Sequence, residues 1–267
     1  MILHTFSTLG CPELDLDGAI SLAARHGLHS LELRTLKATT DLPAWFAENY
    51  GTPAGLAAHL HQRHVKVCAM DTSFKLIGHD DIDLSMLELY VNWADASNVP
   101  WLRVFDGGKT GNAAEIADMA DTLAWWRAHR IKNNWAVDLM VETHDTLLDA
   151  ERLHRLINKV PQVSILWDTH HTWKKGGEAP AVTWKAIRNH VVHLHVKDSV
   201  SKPSPNGTHP YTYVMPGDGE YPMSDLLSAL KADRYDGTIS LEWERMWHPY
   251  LPELDKALYH ARQTRWW

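Results

Sequence analysis

Short apolar runs alternate with longer segments of helical periodicity along the whole chain, a pattern that is typical of repeated β/α units. Eight such units fit within the 267 residues. The predicted strands are residues 2–6, 30–34, 65–71, 101–105, 136–142, 163–168, 191–197 and 238–242. The predicted helices are residues 16–26, 53–64, 84–97, 113–130, 146–158, 181–189, 223–232 and 252–265. The alternation predicts an α/β fold, a single (β/α)8 TIM barrel with residues 1–267 as one domain and the active site at the C-terminal ends of the strands.

Apolar and polar side chains alternate in the fifth, seventh and eighth predicted strands, with the period of two that separates the faces of a strand. The apolar faces should pack against the helices, so the polar faces should line the barrel. These polar faces carry Asp138, Met140, Glu142, His193, His195, Lys197, Ser240 and Glu242.

Four candidate ligands lie at strand ends: Glu142, Asp168, His195 and Glu242. Because the C-terminal ends of barrel strands open onto one face, these side chains should meet there. Carboxylates with one imidazole suit Mn²⁺, Mg²⁺, Co²⁺ or Zn²⁺, and argue against a thiolate site. We therefore expect one divalent metal ion, which would polarise a substrate carbonyl and stabilise an enediolate while Glu142 and Glu242 transfer the proton.

Further side chains near the strand ends are candidate substrate contacts. His144 and His171 follow the first two ligands by two and three positions, and fit either substrate contacts or residues of the barrel rim. Arg34, Arg103 and Lys197 also fall at or near strand ends. Arg34 and Lys197 fit a phosphate or carboxylate of the substrate, or an ion pair with a neighbouring acid.

The loop at residues 199–221 is long for a compact domain, and its prolines and glycines predict that it forms no regular helix or strand. Loops of this length are usually active-site covers or disordered segments. Both a substrate-covering role and a purely connecting one remain open.

Composition narrows the functional classes. The 26 Lys and Arg residues face 33 Asp and Glu residues, and the net charge of −7 gives no basic surface for nucleic acid or an anionic membrane. Two cysteines, no apolar run of 18 residues and no signal-peptide pattern predict a cytoplasmic protein without a membrane span. We expect a small-molecule sugar or polyol partner, and the aromatic C-terminus fits docking either on the barrel or on a second subunit of a homo-oligomer.

Several motifs together resemble the xylose-isomerase-like TIM-barrel superfamily. They are ETH at Glu142, Asp-x-x-His from Asp168 to His171, HLHVKD around His195, and PGDGEY with LKADRYDGTISLEWE around Glu242. That superfamily includes ketose 3-epimerases, hydroxypyruvate isomerases, inosose dehydratases, 3-dehydroshikimate dehydratases and endonuclease IV. The resemblance implies that the four candidate ligands bind one divalent metal, that the two glutamates act as acid and base, and that His171 contacts substrate oxygens.

The leading functional expectation is a metal-dependent isomerase or epimerase of a small sugar or sugar derivative, acting through an enediolate. The alternative is a dehydratase of a cyclic keto-polyol of the inosose or 3-dehydroshikimate type, which would use the same metal site. A metal-free glycoside hydrolase uses two carboxyls about 5 Å apart, but leaves Asp168 and His195 without a role. A non-catalytic sugar-binding barrel is the remaining class.

Overall fold

A parallel eight-stranded barrel forms the centre of the molecule in the computed structural model, which describes residues 2–267. The barrel strands follow the order β1-β10-β7-β6-β5-β4-β3-β2, and a parallel bridge between Ser7 and Glu32 closes the gap between β1 and β2. The strands, including a separate hairpin of β8 and β9, are β1 (Leu3–Phe6), β2 (Ser30–Leu33), β3 (Lys66–Lys75), β4 (Trp101–Phe105), β5 (Asp138–Glu142), β6 (Ile165–Asp168), β7 (Val191–Val196), β8 (Asp198–Val200), β9 (Thr212–Val214) and β10 (Thr238–Leu241). The predicted single (β/α)8 TIM barrel is confirmed.

Helices connect successive strands, and most begin at a polar side chain that accepts a backbone N–H of the first turn. Asp15, Asn112 and Asp149 cap the first, fifth and sixth helices in this way. The helices are α1 (Leu16–Arg25), α2 (Leu42–Tyr50), α3 (Pro53–Gln62), α4 (Asp81–Ala96), α5 (Ala113–Asn133), α6 (Ala150–Lys159), α7 (Thr169–Lys174), α8 (Pro180–Ile187), α9 (Met223–Ala232) and α10 (Leu254–Thr264). Eight of these ten helices were predicted, and α2 and α7 are additional helices inside β/α connections. None of the helices in residues 2–267 is both long and apolar enough to cross a membrane.

The strands have one apolar layer outside the barrel, against the helices, and a smaller one inside it. Leu139 and Val141 of β5 belong to the large outer core, together with Leu123 and Trp126 of α5. Ala69, Met140 and Leu166 form a separate small cluster of fully buried side chains on the opposite strand face, inside the barrel. Each fully buried aliphatic side chain contributes about 1.5–3 kcal/mol relative to an exposed one, so these layers fix the strands that carry the polar residues above them.

The predicted direction of the polar side chains, into the barrel, is correct at the C-terminal ends of the strands but wrong at the start of β5. Asp138 shares the parity of Met140 and Glu142, yet it is partly exposed and turns to α5, where it accepts hydrogen bonds from Trp126 Nε1 (2.8 Å) and Arg130 Nη1 (2.5 Å). The expectation that Asp138 lines the barrel is therefore wrong. At a strand end the side chain is free to bend towards a cation that lies outside the barrel.

The loop at residues 199–221 contains regular structure, contrary to the sequence prediction. β8 and β9 pair in an antiparallel ladder in which Asp198 faces Val214 and Val200 faces Thr212. The four prolines of the loop fall outside these paired residues and so remove no hydrogen bond from the ladder. The Asp198 carboxylate accepts backbone N–H groups of Gly217 (2.9 Å), Gly219 (3.0 Å) and Tyr221 (3.0 Å), and so fastens the end of the loop to its start.

Candidate active site

The four predicted metal ligands converge at the C-terminal end of the barrel. The register places Asp168 of β6 beside His195 of β7, and Ser240 of β10 on the other side of His195. Glu142 ends β5, and Glu242 directly follows β10, where its N–H donates to the Val196 carbonyl at 3.1 Å. Each of the four residues offers a ligand atom, and these atoms lie within 4.8 Å of one another.

The donor atoms of this group fit a metal ion. Glu142, Asp168 and His195 are at most 1% exposed and Glu242 is 6% exposed. His195 Nδ1 is buried and forms no hydrogen bond with any of residues 2–267, whereas Glu142 Oε2 and Asp168 Oδ2 have ion-pair partners in Arg103 (3.3 Å) and Lys197 (2.7 Å). Buried polar atoms usually have a partner, and a cation bound by the four residues would supply one for His195 Nδ1.

His195 directs a different ring nitrogen to each side. Its Nδ1 lies 3.5 Å from Glu142 Oε1 and 3.3 Å from Glu242 Oε1. Its Nε2 lies 2.8 Å from Oε1 of Glu32, a residue of β2. The imidazole therefore joins the candidate metal ligands to a carboxylate on the opposite wall of the barrel.

Two fully buried cations offset the negative charge of the ligand group. Lys197 Nζ lies 2.7 Å from Asp168 Oδ2 and 2.6 Å from Glu244 Oε1, and it also pairs with Glu242. Arg103 Nε lies 3.3 Å from Glu142 Oε2. Of the two alternatives for Lys197, substrate anion or neighbouring acids, the structure shows the pairing with acids.

The charges around each carboxyl separate their pKa values. Burial opposes ionisation of Glu142 and Glu242, but Arg103 holds the pKa of Glu142 below its usual value, and His195 with Lys197 holds the pKa of Glu242 well below its own. Burial raises the pKa of Asp168 to about 6. Lys197 opposes this rise, but the negative charges of Glu242 and Glu142 add to it. The two glutamates are therefore the more readily ionised members of the group.

His144 and His171 lie at the mouth of the site. Their ring centroids are 5.0 Å apart. His171 is buried, with Nδ1 3.1 Å from both the Thr143 carbonyl and Asp168 Oδ2. His144 is about one third exposed, and its Nδ1 lies 2.9 Å from Asp145 Oδ1. Burial lowers the pKa of His144, but Asp145 and Glu142 raise it above its usual value overall.

Asp106 fixes the loop that carries His144. Its buried carboxylate follows β4 and accepts the backbone N–H groups of Asp145 (2.9 Å), Thr146 (2.7 Å) and Leu147 (2.8 Å). The Gly107 N–H in turn donates to Asp145 Oδ2 at 3.0 Å. The loop after β5 is therefore held by hydrogen bonds from the neighbouring strand end, and His144 is held by that loop.

Arg34 follows β2 and has the parity of Glu32, so it rises from the same wall of the barrel. Its side chain is 7% exposed and donates to the Asp71 carbonyl (3.2 Å) and Ser73 Oγ (3.1 Å). Within residues 2–267, no carboxylate oxygen lies within 4.0 Å of its guanidinium, in contrast to Arg103 and Lys197.

The hairpin of the long loop lies against the site. Tyr213 of β9 donates its hydroxyl to Glu244 Oε1 at 2.8 Å, and the Lys197 ammonium is 5.8 Å from the centre of the Tyr213 ring. His170 of α7 packs edge-on against Tyr211, with ring centroids 5.1 Å apart. The loop thus places aromatic side chains beside the charged residues of the site, which is compatible with the covering role, one of the two roles that the sequence left open.

Sequence reasoning missed several acids of the site. Glu32 contacts both His193 and His195, Glu244 pairs with Lys197, and Asp71 is fully buried 3.8 Å from Arg103. The sequence contained a signal for two of them, strand parity for Glu32 and a strand-end position for Asp71. Glu32 alternates with Leu31 and Leu33 in β2, as Glu142 alternates with its neighbours in β5, and Asp71 falls at a predicted strand end.

Solved structures share this fold over nearly their whole length. The probable 3-DHS dehydratase AsbF involved in petrobactin synthesis, from Bacillus anthracis, has a TM-score of 0.78 at 18% identity, with 99% of this chain and 100% of that chain covered. The IOLI protein with a bound zinc atom has a TM-score of 0.72 at 18% identity over 99% and 96% of the two chains. D-allulose 3-epimerase from Methylomonas sp. has a TM-score of 0.67 at 16% identity over 98% and 97%.

Sequence comparison gives the family. No curated protein matches the chain. The profile of one family, described as xylose isomerase-like TIM barrel, matches residues 20–265 and so includes seven of the eight barrel strands and all four candidate ligands. The chain therefore belongs to the xylose isomerase-like TIM barrel family.

Proposed function

We propose that the protein is a divalent-metal-dependent isomerase or epimerase of a small sugar or sugar derivative. The observation that carries this proposal is the convergence of Glu142, Asp168, His195 and Glu242, whose ligand atoms lie within 4.8 Å of one another. Three carboxylates and one imidazole form the hard, mixed donor set that suits Mn²⁺, Mg²⁺, Co²⁺ or Zn²⁺. The zinc atom in the IOLI protein and the epimerase among the solved relatives support this choice.

Proton transfer falls to the two glutamates. A bound ion would polarise the carbonyl and hydroxyl oxygens of the substrate and so acidify the adjacent C–H. Arg103 beside Glu142, and His195 with Lys197 beside Glu242, keep these carboxyls ionised, which is the form that accepts a proton. One glutamate removes the proton. Its return by the other glutamate to the opposite face of the same carbon gives epimerisation, whereas return to the neighbouring carbon, together with transfer of the hydroxyl proton to the carbonyl oxygen, gives isomerisation.

The remaining residues at the mouth bind and orient the substrate in this proposal. His144 and His171, whose rings lie side by side next to Asp168, would contact substrate oxygens, and Arg103 and Lys197 adjust the charge of the glutamates they contact. Arg34 is a buried cation without a carboxylate partner among the described residues, so it suits a carboxylate or phosphate of the substrate. Burial lowers the pKa of Arg34 to about 10, which still leaves it charged at neutral pH.

A dehydratase is the second candidate, and the pair of His144 and Asp145 favours it. The Nδ1 of His144 is 2.9 Å from Asp145, which leaves Nε2 of this partly exposed ring as a proton acceptor that is not a candidate metal ligand. Such a base can remove a proton next to a ketone while another acid protonates the departing β-hydroxyl. The probable dehydratase among the solved relatives supports this alternative.

Metal content tests the site before any substrate is known. Elemental analysis of the wild-type protein should find about one divalent ion per chain, or uptake of one from added Mn²⁺, Co²⁺ or Zn²⁺. Glu142→Ala and Asp168→Ala should both lose it. Asp138→Ala is the matched control, because Asp138 starts the same strand as Glu142 but turns outward to Arg130. A wild-type protein that takes up no ion under any of these conditions rejects the proposed function.

The reaction is then identified by incubation with ketoses, inososes and dehydroshikimate in D₂O, followed by NMR and mass spectrometry. An isomerase or epimerase incorporates solvent deuterium at carbon without loss of mass from the skeleton. A dehydratase instead releases water. His144→Gln separates the two, since it should abolish dehydration but retain deuterium incorporation if the glutamates alone transfer the proton.

A further inference from the structure

Glu32 joins two histidines of β7 in the interior of the barrel. Its Oε2 lies 2.5 Å from Nε2 of His193, and its Oε1 lies 2.8 Å from Nε2 of His195. All three side chains are 0% exposed. These residues are more than 160 positions apart in the sequence, and the closure of the barrel between β1 and β2 brings them together.

The contact with Glu32 determines which nitrogen of His195 is available to a metal. A carboxylate only accepts hydrogen bonds, so Nε2 of His195 must carry the proton. In a neutral ring the lone pair then lies on Nδ1, which faces Oε1 of Glu142 and Oε1 of Glu242 at 3.5 Å and 3.3 Å. In the absence of an ion a proton on Nδ1 can lie between the ring and these oxygens, and a metal ion at Nδ1 would take the place of that proton, because the contact with Glu32 leaves only Nδ1 for coordination.

We propose that Glu32 is a positioning residue for the candidate metal ligand His195: it fixes the Nε2–H tautomer and the ring orientation, and it makes Nδ1 a stronger donor. This inference rests on the proposed metal site. Carboxylate partners of this kind act on the metal through the histidine, and their loss lowers metal affinity by about 10–100-fold. His193 has a supporting part, because it holds the second oxygen of Glu32 and so sets the carboxylate plane.

The alternative is that Glu32, His193 and His195 themselves bind a second ion, since their ligand atoms also lie within 4.8 Å of one another. The distances of 2.5 and 2.8 Å are those of hydrogen bonds that already satisfy both carboxylate oxygens. An ion at this position would have to displace the Nε2 protons of both rings. We therefore assign the cluster to orientation of His195 and not to a separate metal site.

The test measures metal affinity and not turnover. Calorimetric titration with Zn²⁺ and with Mn²⁺ compares wild type with Glu32→Gln, a substitution that keeps the shape of the side chain but removes its charge. We expect affinity to fall by about 10–100-fold in Glu32→Gln. Glu88→Gln is the matched control, since Glu88 also pairs with a histidine, His129 at 2.9 Å, but on the surface between α4 and α5. Affinity in Glu32→Gln within about threefold of wild type overturns the proposal.

A second variant and a spectroscopic measurement distinguish a specific effect on His195 from a general loss of folding. His193→Gln retains a donor to Glu32, so it should still bind one ion with affinity within about threefold of wild type. Loss of one of two bound ions in this variant would instead establish the second metal site and reject our assignment. In ¹⁵N-histidine spectra of the Zn²⁺ form, one ring should show a protonated Nε2 with a metal-bound Nδ1, and its Nε2–H signal should shift in Glu32→Gln. The absence of such a ring overturns the proposal.

The outcomes also separate this inference from the proposed function. A wild-type protein that binds no ion removes the basis of both. A wild-type protein that binds one ion, together with a Glu32→Gln variant that binds it equally well, leaves the proposed function standing and rejects the role of Glu32 alone.

Discussion

The Lys197 ammonium lies among the buried carboxylates of the site. Its replacement by methionine therefore tests how much their negative charge depends on this one cation. The ammonium is 1% exposed and contacts Asp168, Glu242 and Glu244. Burial opposes its charge, but these carboxylates raise its pKa well above the usual value, so the wild-type side chain is an ammonium throughout the neutral range. Methionine has a similar length and no charge, and thus leaves the carboxylates uncompensated.

The magnitude follows from the burial of the ion pairs. Removal of one partner from a buried pair costs about 3–5 kcal/mol, because the other charge stays in the interior without compensation. For a chain of this size we expect the melting temperature of the metal-free Lys197→Met variant to fall by about 10 °C. Protonation of the remaining carboxyls reduces the deficit in acid, so the loss should be largest in mildly alkaline buffer.

The same substitution should tighten metal binding. An ion held by Asp168 and Glu242 would lie near the Lys197 ammonium, because that ammonium contacts both carboxylates. Two unit charges about 4 Å apart interact by about 4 kcal/mol at an effective dielectric constant of about 20. Relief of part of this repulsion corresponds to an affinity increase of about tenfold or more.

Two measurements decide the outcome. Thermal denaturation with chelator and with Mn²⁺ gives the stability of each form, and calorimetric titration gives the affinity. Lys174→Met is the matched control, because Lys174 pairs with the exposed Glu220 on the outer loop and should change neither quantity appreciably. Weaker metal binding in Lys197→Met, or destabilisation that Mn²⁺ does not reduce, would show that Lys197 supports the ligand geometry and does not compete with the ion.

Four further predictions concern pH and the loops around the site. Metal affinity should fall by about tenfold per unit as the pH drops below about 6, since the pKa of Asp168 is raised to about 6 and its protonated form is a poor ligand; titration calorimetry across this range checks it. The free energy of unfolding of the metal-free protein should show the opposite pH dependence. The pKa of Asp168 is higher in the folded than in the unfolded state, so its stabilising contribution is present at low pH and is lost as the pH rises through about 4 to 6. Urea denaturation with chelator measures this change. Asp106→Ala should destabilise the protein by about 2–4 kcal/mol in urea denaturation, because three backbone N–H groups lose a buried carboxylate acceptor, and retention of wild-type stability would contradict this role. Gly219→Ala should release the long loop to limited proteolysis, as a Cβ there would lie 2.1 Å from Asp198 Oδ1; an unchanged cleavage pattern would show that the loop is held elsewhere.

The arrangement of strands and of the four candidate ligands follows from patterns that are local in the sequence. Apolar runs separated by helical segments predict parallel strands, and the period of two within a strand places Glu142 and His195 on its inner face. Parallel strands of a barrel share one C-terminal end, so the four residues had to meet there. The helices α2 and α7 and the hairpin of β8 and β9 were not predicted, because each lies within a connection that also contains or joins the main elements of the β/α pattern.

Only the tertiary structure decided the partners of these residues. Glu32 reaches His193 and His195 across the interior, Lys197 contacts acids on β6 and after β10, and Asp106 holds the loop that follows β5. Strand parity tells whether a side chain points inward, but it contains nothing about which inward side chains lie at the same height. That height is set by the stagger between neighbouring strands as the barrel closes, and the stagger depends on the packing of the whole ring.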